Sequence, residues 1–125
     1  GLIIGTAAYM APEQAKGNAV TRAYATVSGG RDNLARGENA IVAGGNSNTA
    51  SSRYTTVAGG GYNRAIVIGA SVAGGYTNSS AANYANVSGG FGNTATGNYA
   101  TVGGGRERSA SGDYDWRAGT LFENQ

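Results

Sequence analysis

Nine basic and seven acidic side chains, together with hydroxyls and phenols, are all that this 125-residue chain offers for chemistry, because it contains no Cys and no His. That removes Cys/His zinc sites, Ser-His-Asp and Cys-His nucleophiles, haem attachment and disulfides. Asp32, Glu38 and Glu107 are the acids a hydrolytic carboxylate pair would draw on, yet their spacing places them on different segments with no aromatic cleft between them. Asp113 and Asp115 flank Tyr114 and are too few for a calcium cage. Asn78-Ser79-Ser80 has the form of an N-glycan acceptor. The single lysine, Lys16, lies outside the regular part of the sequence described below. No catalytic, metal-binding or cofactor-binding residue is assigned, no cofactor is expected, and the chain is expected not to be an enzyme.

Composition narrows the class further. Leu, Ile, Val and Phe number eighteen, about 14% of the chain, below the roughly 20% of an ordinary globular core. Disorder also asks for high net charge, and the net charge is only +2. Collagen needs Gly at every third place with abundant Pro, whereas the 23 glycines here fall largely in doublets beside a single Pro. The eight arginines, Arg22 and Arg36 among them, are scattered singly, so no basic nucleic-acid surface is expected. Leu2-Ile3-Ile4 is an apolar run of only three residues, far short of the roughly 18 or more of a membrane span, and membrane insertion by this chain is not expected. The first residue is Gly rather than Met, which reads as a fragment or a processed product.

The glycine doublets belong to a repeat. Val27, Val42, Val57, Val72, Val87 and Val102 stand fifteen residues apart, and each is followed two places later by Gly-Gly, from Gly29-Gly30 to Gly104-Gly105. Asn33, Asn48, Asn63, Asn78 and Asn93 form a second column, which Arg108 ends. Ala35, Ala50, Ala65, Ala95 and Ala110 form a third, with Ser80 in the remaining place. Gly89-Gly90-Phe91-Gly92-Asn93 is similar to the GGxGxD calcium repeat, but that repeat has period nine and Asp where Asn93 stands; a structural turn is the expected role.

Fifteen residues are too few for a helical hairpin, and paired glycines weaken a helix by roughly 1 kcal/mol each, so each repeat is predicted to be a β-coil of two strands and two turns. Alternation in a strand puts Ala25 and Val27 on the inner face and Tyr24, Thr26 and Ser28 on the outer one. Asn33, Ala35 and Gly37 likewise face inward, alternating with Leu34, Arg36 and Glu38. The fold is therefore expected to be an all-β, parallel β-solenoid whose core is the Val and Ala columns, with the Asn column as an amide ladder. Glycine doublets suit corners that need positive φ or close approach of chain to chain. The thin core makes self-association through the uncharged outer face of the first strand the expected source of further burial.

With these columns set out, the stretch 18–112 resembles the head repeats of trimeric autotransporter adhesins, which also occur in tail-fibre and stalk proteins. Ala25-Thr26-Val27-Ser28-Gly29 and Asn93-Thr94-Ala95-Thr96-Gly97 carry the resemblance. It implies a left-handed, homotrimeric β-roll in which Thr26, Ile41, Thr56, Ser71, Asn86 and Thr101 line the trimer interior, with Tyr24, Tyr54, Tyr84 and Tyr99 beside them in the interface. It also implies an extracellular or cell-surface location and a structural or adhesive function. Its partners would be further copies of the chain and a host matrix protein or glycan. The alternative is an ice-binding, lattice-binding solenoid, for which the hydroxyl column of Thr26, Thr56 and Thr101 is interrupted at Ile41 and Asn86.

The ends differ from the repeat. Gly5 to Gly17 resembles the end of a protein-kinase activation loop, with Ala11-Pro12-Glu13 as its APE string, but the chain has none of the other kinase parts. Residues 1–17 are read as a non-repeat cap or fusion scar, 18–112 as the solenoid, and 113–125 as a C-terminal cap in which Trp116, Leu121 and Phe122 cover the last coil.

Overall fold

The computed structural model describes residues 9–10 and 17–119. Most of the kinase-like string, including Ala11-Pro12-Glu13, lies outside the described residues, as do Leu121 and Phe122. The chain is an all-β parallel solenoid of fifteen-residue coils, making about seven turns.

One sheet contains β1 (Tyr9–Met10), β3 (Thr26–Val27), β5 (Ile41–Val42), β7 (Thr56–Val57), β9 (Ser71–Val72), β11 (Asn86–Val87), β13 (Thr101–Val102) and β15 (Trp116–Arg117), stacked in that order. The other contains β2 (Ala19–Val20), β4 (Leu34–Ala35), β6 (Thr49–Ala50), β8 (Arg64–Ala65), β10 (Ser79–Ser80), β12 (Thr94–Ala95) and β14 (Ser109–Ala110). Pairing is in register at the fifteen-residue period, as in Thr56↔Ser71 and Val57↔Val72. The first pair departs from it, with Tyr9 opposite Thr26. At the other end Trp116 lies opposite Thr101 and Arg117 opposite Val102, so the ladder extends into 113–117.

The core is as thin as its residues dictate. Val27, Val42, Val57, Val72, Val87 and Val102 are fully buried on one side, and Ala35, Ala50, Ala65, Ser80, Ala95 and Ala110 on the other. Ala25, Ala40, Ala70, Ala85 and Ala100, with Thr55 in the third place of that column, are buried beside them. Only small side chains fit between backbones this close, which explains why no Leu or Phe appears among the fully buried residues.

Two features depart from the coil expected from the sequence. The coil has a third ladder, because Arg31, Asn46, Gly61, Tyr76, Phe91 and Arg106 pair in parallel as single-residue bridges. The Tyr column, moreover, is not part of a strand. The strands are two residues long, so alternation ends before it reaches Tyr24, which sits at φ 62° with Tyr54, Tyr84, Tyr99 and Tyr114 close to the same value. Ala25 N–H closes a four-residue turn onto the Arg22 carbonyl, and Tyr24 occupies its third position, where positive φ favours Gly or Asn. Asn39 and Gly69 stand at the equivalent place in two other coils.

These left-handed corners reverse the direction of bonding. Along the strands, N–H groups donate to the following coil, as from Thr26 to the Ala40 carbonyl at 2.9 Å. At the corners they donate to the preceding coil, as from Tyr54 to the Glu38 carbonyl and from Tyr62 to the Asn46 carbonyl, both at 3.0 Å. Each coil is thus tied to both neighbours by backbone groups that would otherwise lack partners.

Candidate functional site

The regular backbone turns side chains fifteen apart in sequence into columns, so surfaces rather than a single pocket are the candidates. The Asn column is internal. Asn63 donates through Nδ2 to the Gly59 carbonyl within its own coil and to the Gly75 carbonyl in the next, each at 2.9 Å. Its Oδ1 accepts the Asn78 N–H at 2.9 Å. Asn33, Asn48, Asn78 and Asn93 repeat this arrangement. The Arg108 N–H takes the Oδ1 of Asn93 where the amide column ends. The acceptor-like Asn78 is 1% exposed with its amide fully engaged, so it presents nothing to a glycosylating enzyme. Gly89-Gly90-Phe91-Gly92-Asn93 forms the same turn as the other coils, with Gly90 at φ 90°.

The two glycines of each doublet have different surroundings. The second, as at Gly30, Gly45, Gly60, Gly75 and Gly90, has φ between 80° and 90°, and an added Cβ would run into the backbone of the next coil. The first, at Gly44, Gly59, Gly74 and Gly89, has no positive φ, and an added Cβ would meet nothing within 4 Å. Here the chain's own packing gives no reason for glycine.

This open column borders the outer face of the first strand. Thr26, Thr56, Ser71, Asn86 and Thr101 are half-buried there, and Ile41 is 41% exposed. Ser28, Ala43, Ala58, Ala73, Ser88 and Gly103 form the next column and are exposed. The two columns contain no charged residue. Ser71 Oγ donates to Asn86 Oδ1 at 2.8 Å, which removes that hydroxyl from any regular outward row.

Aromatic residues occupy two corners. Tyr84, Tyr99 and Tyr114 are stacked, with ring centroids 5.5 and 5.2 Å apart and planes within 9° of parallel. Tyr24, Tyr54, Tyr84 and Tyr99 are each about half exposed, at the turn rather than beside Thr26 and its equivalents in the strand. The second group follows the third ladder: Tyr76 stacks on Phe91 at 6.0 Å, Arg106 lies over the Phe91 ring at 5.5 Å, and Tyr62, next to the ladder residue Gly61, meets Tyr76 edge to face at 5.4 Å. The variable identities along this ladder gave no sequence signal, although counting by fifteen does place Tyr76, Phe91 and Arg106 in one line.

The acids are dispersed. Asp32 and Glu38 do not lie on different coils but at the two turns either side of Leu34–Ala35 in one coil, and Glu107 lies five coils further along. Asp113 Oδ1 accepts from the backbone and side-chain nitrogens of Asn98, and Asp115 lies 3.7 Å from Arg117. Among the described residues, no group of three or more His, Cys, Asp or Glu is placed to hold a metal ion, and no helix is long and apolar enough to cross a membrane.

No protein-family model matches the chain, and no curated protein matches it. Its class therefore rests on its own geometry: an all-β parallel solenoid of about seven fifteen-residue turns.

Proposed function

We propose that the chain is a non-enzymatic structural and adhesive module, a homotrimeric β-roll head or fibre segment of an extracellular or surface-borne protein. The observation that carries this reading is the open glycine column. Gly44, Gly59, Gly74 and Gly89 leave free space beside an uncharged strip of Thr, Ile, Ser, Ala and Asn. Small side chains let a second backbone approach closely, and removing Ile41 and the Thr methyl groups from water adds burial that the narrow Val and Ala core lacks. Three copies meeting through this strip would place Thr26, Ile41, Thr56, Ser71, Asn86 and Thr101 toward a common axis, with Tyr24, Tyr54, Tyr84 and Tyr99 near its margins. The charged corners would then face solvent and the module's ligand, a matrix protein or a glycan.

Light scattering on the purified chain tests the assembly. A particle of three 12.5 kDa chains is expected, and the paired substitutions Thr56→Arg and Ser71→Arg should release folded single chains. A wild-type chain that is folded and monomeric at micromolar concentration overturns the reading. A thermal-hysteresis assay on the same sample is expected to show no freezing-point gap.

A further inference from the structure

The net charge of the chain is unevenly placed. Residues 1–64 contain six basic and three acidic side chains and residues 65–125 three and four, giving +3 and −1. Part of the excess positive charge gathers in an open cleft of about 450 Å³ lined by Arg22, Arg36, Gly37, Glu38, Ser51, Ser52 and Arg53.

The repeat explains how these residues meet. Arg22, Gly37 and Ser52 are equivalent positions on three successive coils, flanked by Arg36 and Ser51 on one side and by Glu38 and Arg53 on the other. Gly37 is the centre of this grid and has no side chain to fill it. A Cβ there would collide with the Ser52 carbonyl, so the coils pack closely and the floor is bare backbone. Gly97 forms an equivalent close contact with Gly112, but its surroundings, Ala82, Thr96, Asn98 and Asp113, include no arginine. Within the first grid Arg53 is paired with Glu38 at 3.6 Å. Arg22 and Arg36 have no ion-pair partner among the described residues.

The geometry points to this cleft as a binding site for an acidic saccharide unit of a polysaccharide. Two guanidinium groups with no ion pair among the described residues can grip one carboxylate or sulfate through paired N–H donors. Ser51 and Ser52 supply hydroxyls, and Glu38 supplies an acceptor, for the sugar's own hydroxyl groups. The Glu38 carboxylate also opposes a densely charged strand such as a nucleic acid or polyphosphate, whose phosphates leave no neutral stretch to lie against it. The site gives the adhesive reading its ligand class and rests on that reading for its setting, but the cleft is complete within one chain.

The test is binding of the full chain to polygalacturonate, a carrageenan with one sulfate per disaccharide, neutral dextran and polyphosphate by interferometry, with the oligomeric mass measured on the same sample. Binding to one or both acidic polysaccharides is expected, the stronger of the two identifying carboxylate or sulfate as the preferred group. Neutral dextran should not bind, polyphosphate should bind more weakly, and affinity should fall with salt with a slope of about two charges. Arg22→Ser with Arg36→Ser copies residues that the same columns carry at Ser52 and Ser51, so the coil is retained. It should lower affinity by about tenfold or more with an unchanged circular dichroism spectrum. Glu38→Gln should raise polyphosphate binding. Failure of the wild type to bind either acidic polymer, unchanged affinity in the double variant, or equal binding of polyphosphate would overturn the site. A monomer that binds the acidic polymers would overturn the trimer and leave the cleft standing, whereas a trimer that does not bind them would do the reverse.

Discussion

The α-carbon of Gly60 faces the carbonyl of Gly75 one coil further on, so closely that a methyl group at Gly60 would overlap that oxygen. Its neighbour Gly59 faces open space. Gly60→Ala is expected to lower stability by on the order of 3 kcal/mol or more, since the left-handed conformation and the collision add. Gly59→Ala should change the stability of the single chain by less than about 0.5 kcal/mol and should act instead on assembly. Denaturant melts of the two variants, run beside light scattering, read both effects.

Asn63→Ala strands the Asn78 N–H and the Gly59 carbonyl, both buried and both dependent on this amide, and takes one of two donors from the Gly75 carbonyl, which keeps the Gly61 N–H. With each buried group left unpaired worth about 1–3 kcal/mol, a loss on the order of 3 kcal/mol is expected. Asn46→Ala, on the exposed third ladder, should cost less than about 0.5 kcal/mol. Equal melting temperatures for the two variants would show that the amide ladder contributes nothing.

Tyr99 is stacked between Tyr84 and Tyr114 at positive φ. Tyr99→Asn forfeits two stacking contacts of about 0.5–1.5 kcal/mol each but places there a residue suited to left-handed backbone, as Asn39 already is. Tyr99→Ile forfeits the contacts and forces a β-branched residue into that conformation. Chemical denaturation should therefore rank Ile as the more damaging replacement by about 1 kcal/mol or more.

From Ile66 to Gly105 the chain carries no Asp, Glu, Lys or Arg, and it has no His at all. The described ion pairs, Arg53–Glu38, Arg106–Glu107 and Arg117–Asp115, lie at the surface outside that stretch, where such pairs contribute about 0–1 kcal/mol. Unfolding the central coils thus takes up or releases no protons between pH 5 and 9. The melting temperature is expected to be nearly flat across that range and to shift little between 0.05 and 0.5 M salt, which differential scanning calorimetry checks.

The solenoid class was legible because a coil of this kind repeats its backbone demands. Val27 and its equivalents must be small and apolar, and Asn33 and its equivalents must supply one acceptor and two donors, so both columns stand out against any background. Tyr24 misled because a Tyr beside Ala and Thr looks like part of a strand. Only the backbone shows that the turn bond from Ala25 to Arg22 has already ended the strand and placed Tyr24 at positive φ. The third ladder was hidden for a different reason. Arg31, Asn46, Gly61, Tyr76, Phe91 and Arg106 are positioned by the left-handed glycine before them rather than by their own side chains, so their identities are free to vary. The cleft at Gly37 was hidden by the same freedom, since it depends on which residues happen to surround one glycine.

The reciprocal bonding of successive coils also determines how the molecule would respond to tension. A coil is joined to its two neighbours and to nothing further along the stack, so a pull on the chain ends loads the terminal coil first, and the ladder opens there while the interior remains intact. Each detached coil frees fifteen residues, roughly 50 Å of slack, before the next one takes the strain. A tethered molecule would lengthen in equal steps, dissipating a sudden load coil by coil and re-forming from the surviving template when the load is removed.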